Sequence, residues 1–359
     1  MGHSTHHQRV KISHYINKAR TLRSRDVAPW IINGIRERLG FFYDHVRRVG
    51  EPYAVRRMYR KELIKHYAGI DNLVSCCQKN IRERFFISSK LQDECISAFC
   101  KEFETSFIHQ ITADADDICR HTFDLLGSGP QHLGESIDWC RDISSGRKWP
   151  LLHYTHCPII FNDGSDIIRV WELSRFQWGP TLGKAFWLTK DIKYATEFVR
   201  QVESWIRSNS YEFGPNWMSS QDVALRAINW IITLCFFNES ALITRDRWIE
   251  IMLSLYLHGI YIERNLHFEC TGKIKTTGTH YLSCLLALLY LGFLFYETPK
   301  GKRWLEFGKN GLFVEIMDQV NSDGGDYESS IAGYHRFAGT FYCCMDTFCI
   351  ESDTLSTSN

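Results

Sequence analysis

From residue 171 onward the sequence falls into apolar-periodic segments at 171–187, 191–208, 219–237, 245–263, 280–295, 300–320 and 328–349. Most are 15–20 residues long, and the links between them run to 3–10 residues, except one irregular stretch at 264–279. Helices of similar length on short links must double back on one another, so neighbours run antiparallel. Alternation of period two is scarce. These features predict an all-α array of helical hairpins, curved into an open ring or stacked as an irregular solenoid.

The stretch Tyr281–Tyr296 is uncharged for 16 residues. That is short of the ~20 residues a membrane-spanning helix needs. Its bulky residues Leu282, Leu285, Leu286, Leu289 and Phe293 step along one helical face, which predicts a buried core helix and no membrane span. A chain of 359 residues with 44% hydrophobic content can enclose such a helix. Net charge is +1, which gives no global field for nucleic acid, and no nucleic-acid partner is expected. The balance is uneven: residues 1–65 hold 15 Lys and Arg against 5 Asp and Glu, a basic arm or a solvated helical face with paired charges. The 13 cysteines form no CxxC pair and no Cys/His spacing of a zinc site, so free thiols in a reducing compartment are expected, with no metal and no cofactor. The first 30 residues carry no apolar block of a secretory signal, which predicts a cytoplasmic protein.

Three regions follow from texture: helices at 1–122, a core at 123–350 that opens on a Gly- and Pro-punctuated stretch, and a polar, disordered tail at 351–359. Chemistry-bearing residues concentrate near the end of the core. Glu328, Tyr334, His335 and Arg336 place a carboxylate, a phenol, an imidazole and a guanidinium on one short segment, and Thr279-His280 opens the apolar helix. Such groups suit an anionic sugar and the movement of protons on it. Each also has a plainer reading. Tyr334 can be a half-buried helix residue, His280 a solvent-facing helix terminus, and His335 a support for Tyr334. Arg226 can form an ion pair with Glu172 or Asp222 as readily as it can clamp a substrate carboxylate. Trp171, Trp178, Trp217 and Trp230 are stacking platforms or core, and Asn216-Trp217 at a helix entry is the best placed for sugar contact.

Several blocks occur in a familiar order. They are Phe123 to Gly129, Ile137-Asp138-Trp139, Lys148-Trp149-Pro150, Trp171 to Arg175, Asn216-Trp217 with Asp222 to Trp230, Thr279 to Leu282, and Asp323 to Arg336. Over residues 123–341 the chain resembles the helical domain of the heparinase II/III-like polysaccharide lyase family. The resemblance implies an (α/α) toroid or incomplete toroid whose concave face holds a uronic-acid polysaccharide, and it offers a periplasmic location as the alternative. It implies β-elimination, with Tyr334, His280 and Thr279 as catalytic residues and Asn216, Trp217, Arg226, His335, Arg336 and Glu328 as substrate-binding residues. In the family a C-terminal β-sandwich follows and carries a catalytic histidine and a metal site. Too few residues follow Tyr334 here for that domain, so truncation is expected, and neither feature is carried over.

One departure bears on activity. The family has an Asn where this chain has Thr279, and a hydroxyl offers one donor where an amide offers two in a fixed plane. Losing one preorganised donor costs ~3–4 kcal/mol of transition-state stabilisation. The expected function is therefore an impaired polysaccharide lyase acting on an anionic uronic-acid polymer. The alternatives are a non-catalytic saccharide-binding or assembly protein of surface-polysaccharide metabolism, or a plain helical scaffold.

Overall fold

The computed structural model of the chain describes residues 52–266, 270–271, 274–275 and 279–319. The expected segment 328–349, most of the basic arm and the polar tail lie outside the described residues. Two compact units divide the chain, Met1–Val55 and Arg56–Asn359, and the description that follows is of the second. The region boundary expected at residue 122 falls within the second unit.

That unit is all-α. The described chain begins with α1 (Pro52–His66) and α2 (Ile70–Arg84), then α3 (Gln92–Glu102) and α4 (Thr105–Cys119). The Gly- and Pro-rich stretch opens with an antiparallel pair, β1 (Thr122–Asp124) and β2 (Pro130–His132), in the register Phe123 opposite Gln131. Helices resume with α5 (Ile167–Ser174), α6 (Gly179–Thr189) and α7 (Lys193–Ser208). A 3₁₀ turn (Pro215–Trp217) leads into α8 (Ser220–Phe237) and α9 (Arg245–Arg264). The long link then carries two very short paired strands, β3 (Cys270–Thr271) and β4 (Ile274–Lys275), before α10 (Thr279–Leu294) and α11 (Pro299–Gln319).

Five of the expected segments end within a few residues of the observed helices. The sixth, 171–187, is instead two helices, α5 and α6. The physical reason is in the sequence: Pro180 has no N–H and its ring clashes with the preceding turn, so it is tolerated only in the first turn of a helix. The chain breaks ahead of it at Phe176, a fully buried residue in left-handed backbone (φ 58°). Two starts are fixed by side chains. Asp166 Oδ1 accepts from Ile168 N at 2.9 Å at the head of α5, and Ser219 Oγ accepts from Asp222 N at 3.3 Å at the head of α8.

The centre of the unit is α10. Every residue from Tyr281 to Leu294 is buried, and α10 packs on α2, α8, α9 and α11. Each fully buried Leu or Phe contributes ~1.5–3 kcal/mol of transfer free energy, which accounts for an uncharged helix at this position. The antiparallel α10–α11 contact depends on glycine. A Cβ at Gly292 would lie 2.5 Å from Leu305 N, and one at Gly308 would lie 2.7 Å from Leu285 O and Leu289 N. Only hydrogens fit between the two backbones there.

The membrane expectation concerns length and hydropathy, and no described helix is long and apolar enough to cross a bilayer. Nine described cysteines are free thiols, five of them buried.

Gly292→Val should therefore destabilise the unit by about 1–3 kcal/mol, the usual range for forcing side-chain volume into a closed contact. Urea unfolding followed by circular dichroism measures this. Valine is the informative replacement, because alanine would recover ~1 kcal/mol of helix propensity and mask part of the clash.

Candidate functional site

The head of α10 is the first place to examine. Thr279 is its first residue and is buried, with its carbonyl accepting from Ser283 Oγ at 2.9 Å. His280 is exposed. No acidic residue stands in the first turn of the helix, whose N-terminus carries the positive end of its dipole. Behind His280, burial and the nearby Glu315 and Cys284 push the Tyr281 phenol up to about 12, which keeps it neutral. The helix therefore presents an imidazole and a positive terminus, backed by an apolar wall. Glu328, Tyr334, His335 and Arg336 lie outside the described residues, so their expected approach to this helix head is not part of the described geometry.

Asn216, Trp217 and Arg226 do come together, but as a closed cluster in place of the expected open platform. Their exposures are 0%, 2% and 0%. Arg226, on α8, donates from Nη2 to the Asn216 carbonyl at 3.1 Å and from Nε to His258 Nε2 at 2.9 Å. Its guanidinium lies 4.0 Å above the Trp205 ring and 5.5 Å from that of Trp217. Asn216 Nδ2 donates to the Trp139 carbonyl at 2.8 Å and to Asn209 Oδ1 at 2.9 Å. Tyr261 on α9 completes the cluster by donating its hydroxyl to the Trp217 carbonyl. Burial lowers the Arg226 guanidinium to about 9, against the opposing charge of Asp222, so it is still a cation at neutral pH.

The ion pair considered for Arg226 belongs to another residue. Arg175 Nε donates to Asp222 Oδ1 at 2.5 Å and Arg175 Nη1 to Glu172, so both carboxylates are engaged before Arg226 can reach them. Arg226 is held instead by a neutral imidazole, a carbonyl and an indole face. Among the described residues Arg226 Nη1 and Asn216 Oδ1 have no hydrogen-bond partner. Trp217 and Trp230 are enclosed and offer no ring face to a sugar. Trp178 is 9% exposed, and half-buried Trp171 donates from Nε1 to the Pro215 carbonyl at 2.9 Å.

His258 is the residue that sequence reasoning passed over. It lies midway along an apolar helix, and a polar ring between Leu257 and Gly259, three residues before Tyr261, was the available signal. Nδ1 donates to the Ser254 carbonyl at 2.7 Å, which leaves Nε2 to accept from Arg226. Burial, reinforced by the Arg226 charge, holds its pKa well below the ordinary histidine value. Among the described residues no group of three or more His, Cys, Asp or Glu side chains is placed to hold a metal ion.

Comparison with known proteins adds a lineage to this geometry. The family described as Heparinase II/III N-terminus matches residues 84–347. A heparin-sulfate lyase of Bacteroides stercoris is 27% identical over 252 residues, which is 64% of this chain and 33% of that protein. A heparin-sulfate lyase of Pedobacter heparinus is 27% identical over 230 residues, 62% of this chain and 30% of that protein. The chain thus spans about a third of the length of these curated relatives. Among solved structures, heparan sulfate lyase HepC from Pedobacter heparinus superposes with a TM-score of 0.54 at 21% identity, covering 79% of this chain and 40% of that one. That likeness concerns the fold, and it places the helical array in the toroid class.

The neutral, buried His258 carries a pH signature. The unfolded chain takes up a proton at this residue below about pH 6.5, whereas the folded chain does not. Stability should fall as pH drops below about 6.5, at a rate approaching ~1.4 kcal/mol per pH unit from this residue alone. His258→Gln keeps an acceptor for Arg226 but does not titrate. Its stability, measured by urea unfolding between pH 5 and 7 (about the histidine range), should be flatter with pH than that of the parent.

Proposed function

The chain belongs to the Heparinase II/III N-terminus family, and on that footing we propose that it is the helical domain of a polysaccharide lyase acting on a uronic-acid polymer by β-elimination. In that reaction a base removes the proton on the carbon α to the uronate carboxylate, the 4-linked oxygen departs, and a double bond forms between the two carbons. An acid returns a proton to the departing oxygen. The α-proton is very weakly acidic while the carboxylate keeps its charge, so donors at the carboxylate are the first requirement.

The observation that carries this reading is the head of α10. An exposed His280 follows Thr279 at the positive end of a 16-residue helix that has no acidic residue in its first turn. A uronate carboxylate is suited to that position. The family match runs on to residue 347 and so includes Tyr334, which in this reading moves the proton, as base or as acid. In the same reading Glu328, His335 and Arg336 bind substrate. Asn216, Trp217 and Arg226 act from behind: their cluster fixes the 3₁₀ turn that leads into α8, and α8 packs directly on α10.

Turnover by residues 1–359 alone is proposed to be very weak. Thr279 brings one hydroxyl donor to a carboxylate, and its burial leaves little of it for a ligand. A saccharide-binding protein without catalysis is the second reading, and the same feature of Thr279 supports it. A sulfated uronate polymer of the heparin class is the first substrate to try, because the relatives are named heparin-sulfate lyases.

The test follows the ultraviolet absorbance of the unsaturated uronate product on several uronic-acid polymers, alongside direct binding of uronate oligosaccharides. The expected result is binding with little or no product, incomplete rescue by Thr279→Asn, and loss of any residual product in Tyr334→Phe. Robust turnover abolished by Tyr334→Phe would overturn the impairment. Absence of both binding and turnover on every uronate polymer would sink the lyase and the binding reading together.

A further inference from the structure

A second polar constellation lies where the end of α4, the β1–β2 hairpin and α7 meet. Its floor is a buried network. His121 follows the last turn of α4 in left-handed backbone (φ 55°) and is 3% exposed. Its Nδ1 donates to the Gly134 carbonyl at 2.6 Å, and its Nε2 lies 3.0 Å from Glu197 Oε1. Glu197 also accepts from Arg200 Nε at 2.8 Å and from Gln201 Nε2 at 2.6 Å, and Gln201 in turn accepts from Trp178 Nε1 at 2.9 Å. Burial alone would raise the Glu197 carboxyl, but the hydrogen bonds from His121, Arg200 and Gln201 outweigh it and hold the group below its ordinary value. The floor is therefore charged and tied to three elements.

Above this floor is an open cleft of about 540 Å³ whose lining includes Arg120, His121, His132, Glu135 and Arg200. That volume falls within the ~300–1,000 Å³ of small-ligand sites. Arg120 ties down a single nitrogen, Nη2, in an exposed pair with Asp117 at 2.5 Å. Arg200 commits Nε and Nη2 to Glu197, Nη2 also lies against His121 Nε2, and its Nη1 makes only a long contact of 3.4 Å with the Glu135 carbonyl. Both guanidinium groups keep N–H donors for a ligand, and exposed His132 adds a third donor at the rim. Glu135 contributes a carboxylate to the lining, so a ligand seated here has its anionic group on the arginine side.

We propose that this cleft is a binding subsite for an acidic saccharide unit, its carboxylate or sulfate seated between Arg120 and Arg200. The identity of the ligand as a sugar rests on the uronate-polymer reading above. The cleft itself shares no residue with α10. Guanidinium groups pair with carboxylate and sulfate in two-point geometry, and a group fixed at its far side by Glu197 loses less freedom on binding.

The experiment is calorimetric titration of the full chain with an acidic uronate tetrasaccharide, sulfated and unsulfated, and with a neutral tetrasaccharide as control. It compares the parent with Arg120→Gln/His132→Gln and with Thr279→Ala/His280→Ala. Arg120 and His132 are exposed, so their double variant should keep the parent's unfolding temperature. The expected result is that the acidic tetrasaccharides bind the parent while the neutral one does not. The Arg120/His132 variant should lose affinity about tenfold, the scale of one charge-assisted hydrogen bond, and show a flatter salt dependence. Unchanged affinity and salt dependence in that variant would overturn the subsite. If the Thr279/His280 variant alone abolishes binding, the subsite fails while the α10 reading stands. If only the Arg120/His132 variant weakens binding, the subsite stands and the α10 reading fails.

Discussion

A guanidinium with no exposed surface is an expensive thing to fold, and Arg226 sets conditions that much of the unit has to meet. Removing a cation from water costs several kcal/mol unless nearby groups replace the lost solvation. Here the replacement comes from three segments packed around α8, which carries Arg226: Trp205 at the end of α7, the Asn216 carbonyl in the 3₁₀ turn, and His258 on α9. None of these is a carboxylate. The cation is held by an indole face, a carbonyl and a neutral imidazole, and each works only when the four segments are in register. The cluster therefore acts as a registration device for the helices around α10, and it loses its value if any one of them shifts.

Aromatic rings and amides that read as sugar contacts in the sequence are consumed in holding the frame. At the head of α10, His280 is the one exposed residue of an otherwise enclosed helix. The same logic applies to the β1–β2 region. There a buried acid, Glu197, is paired with Arg200, which also faces the solvent, so one guanidinium serves both the interior charge and the surface. Two polar nodes, one sealed and one open, thus stand within one helical frame.

The sequence carried the helices because their cause is local and periodic. Apolar residues every three or four positions, with short links, fix both the element and its antiparallel neighbour, and five described segments match to within a few residues. The uncharged stretch at 281–294 can only be satisfied in the interior, so its central position was also legible. The break between α5 and α6 was legible in principle, since Pro180 cannot sit within a continuing helix, yet apolar periodicity runs through it and hides it. Lineage too was readable, from blocks spread over residues 123–341, because such blocks keep their order along the chain.

What the sequence could not contain is partnership across distance. Arg226 sits one turn from Asp222, and on a bare helix the two belong together. Only the fold brings Arg175 from α5 to claim that carboxylate and sets His258, 32 residues away, against the guanidinium. Likewise Asn216-Trp217 looks like an exposed helix entry until three helices close over it. Cys119 to Gly134 gives no sign that it will meet Arg200 across a cleft. Periodicity decided which faces turn inward. Which polar groups meet there, and which are left facing solvent, was decided by helix packing, because a buried charge takes the nearest partner in space and not the nearest in sequence.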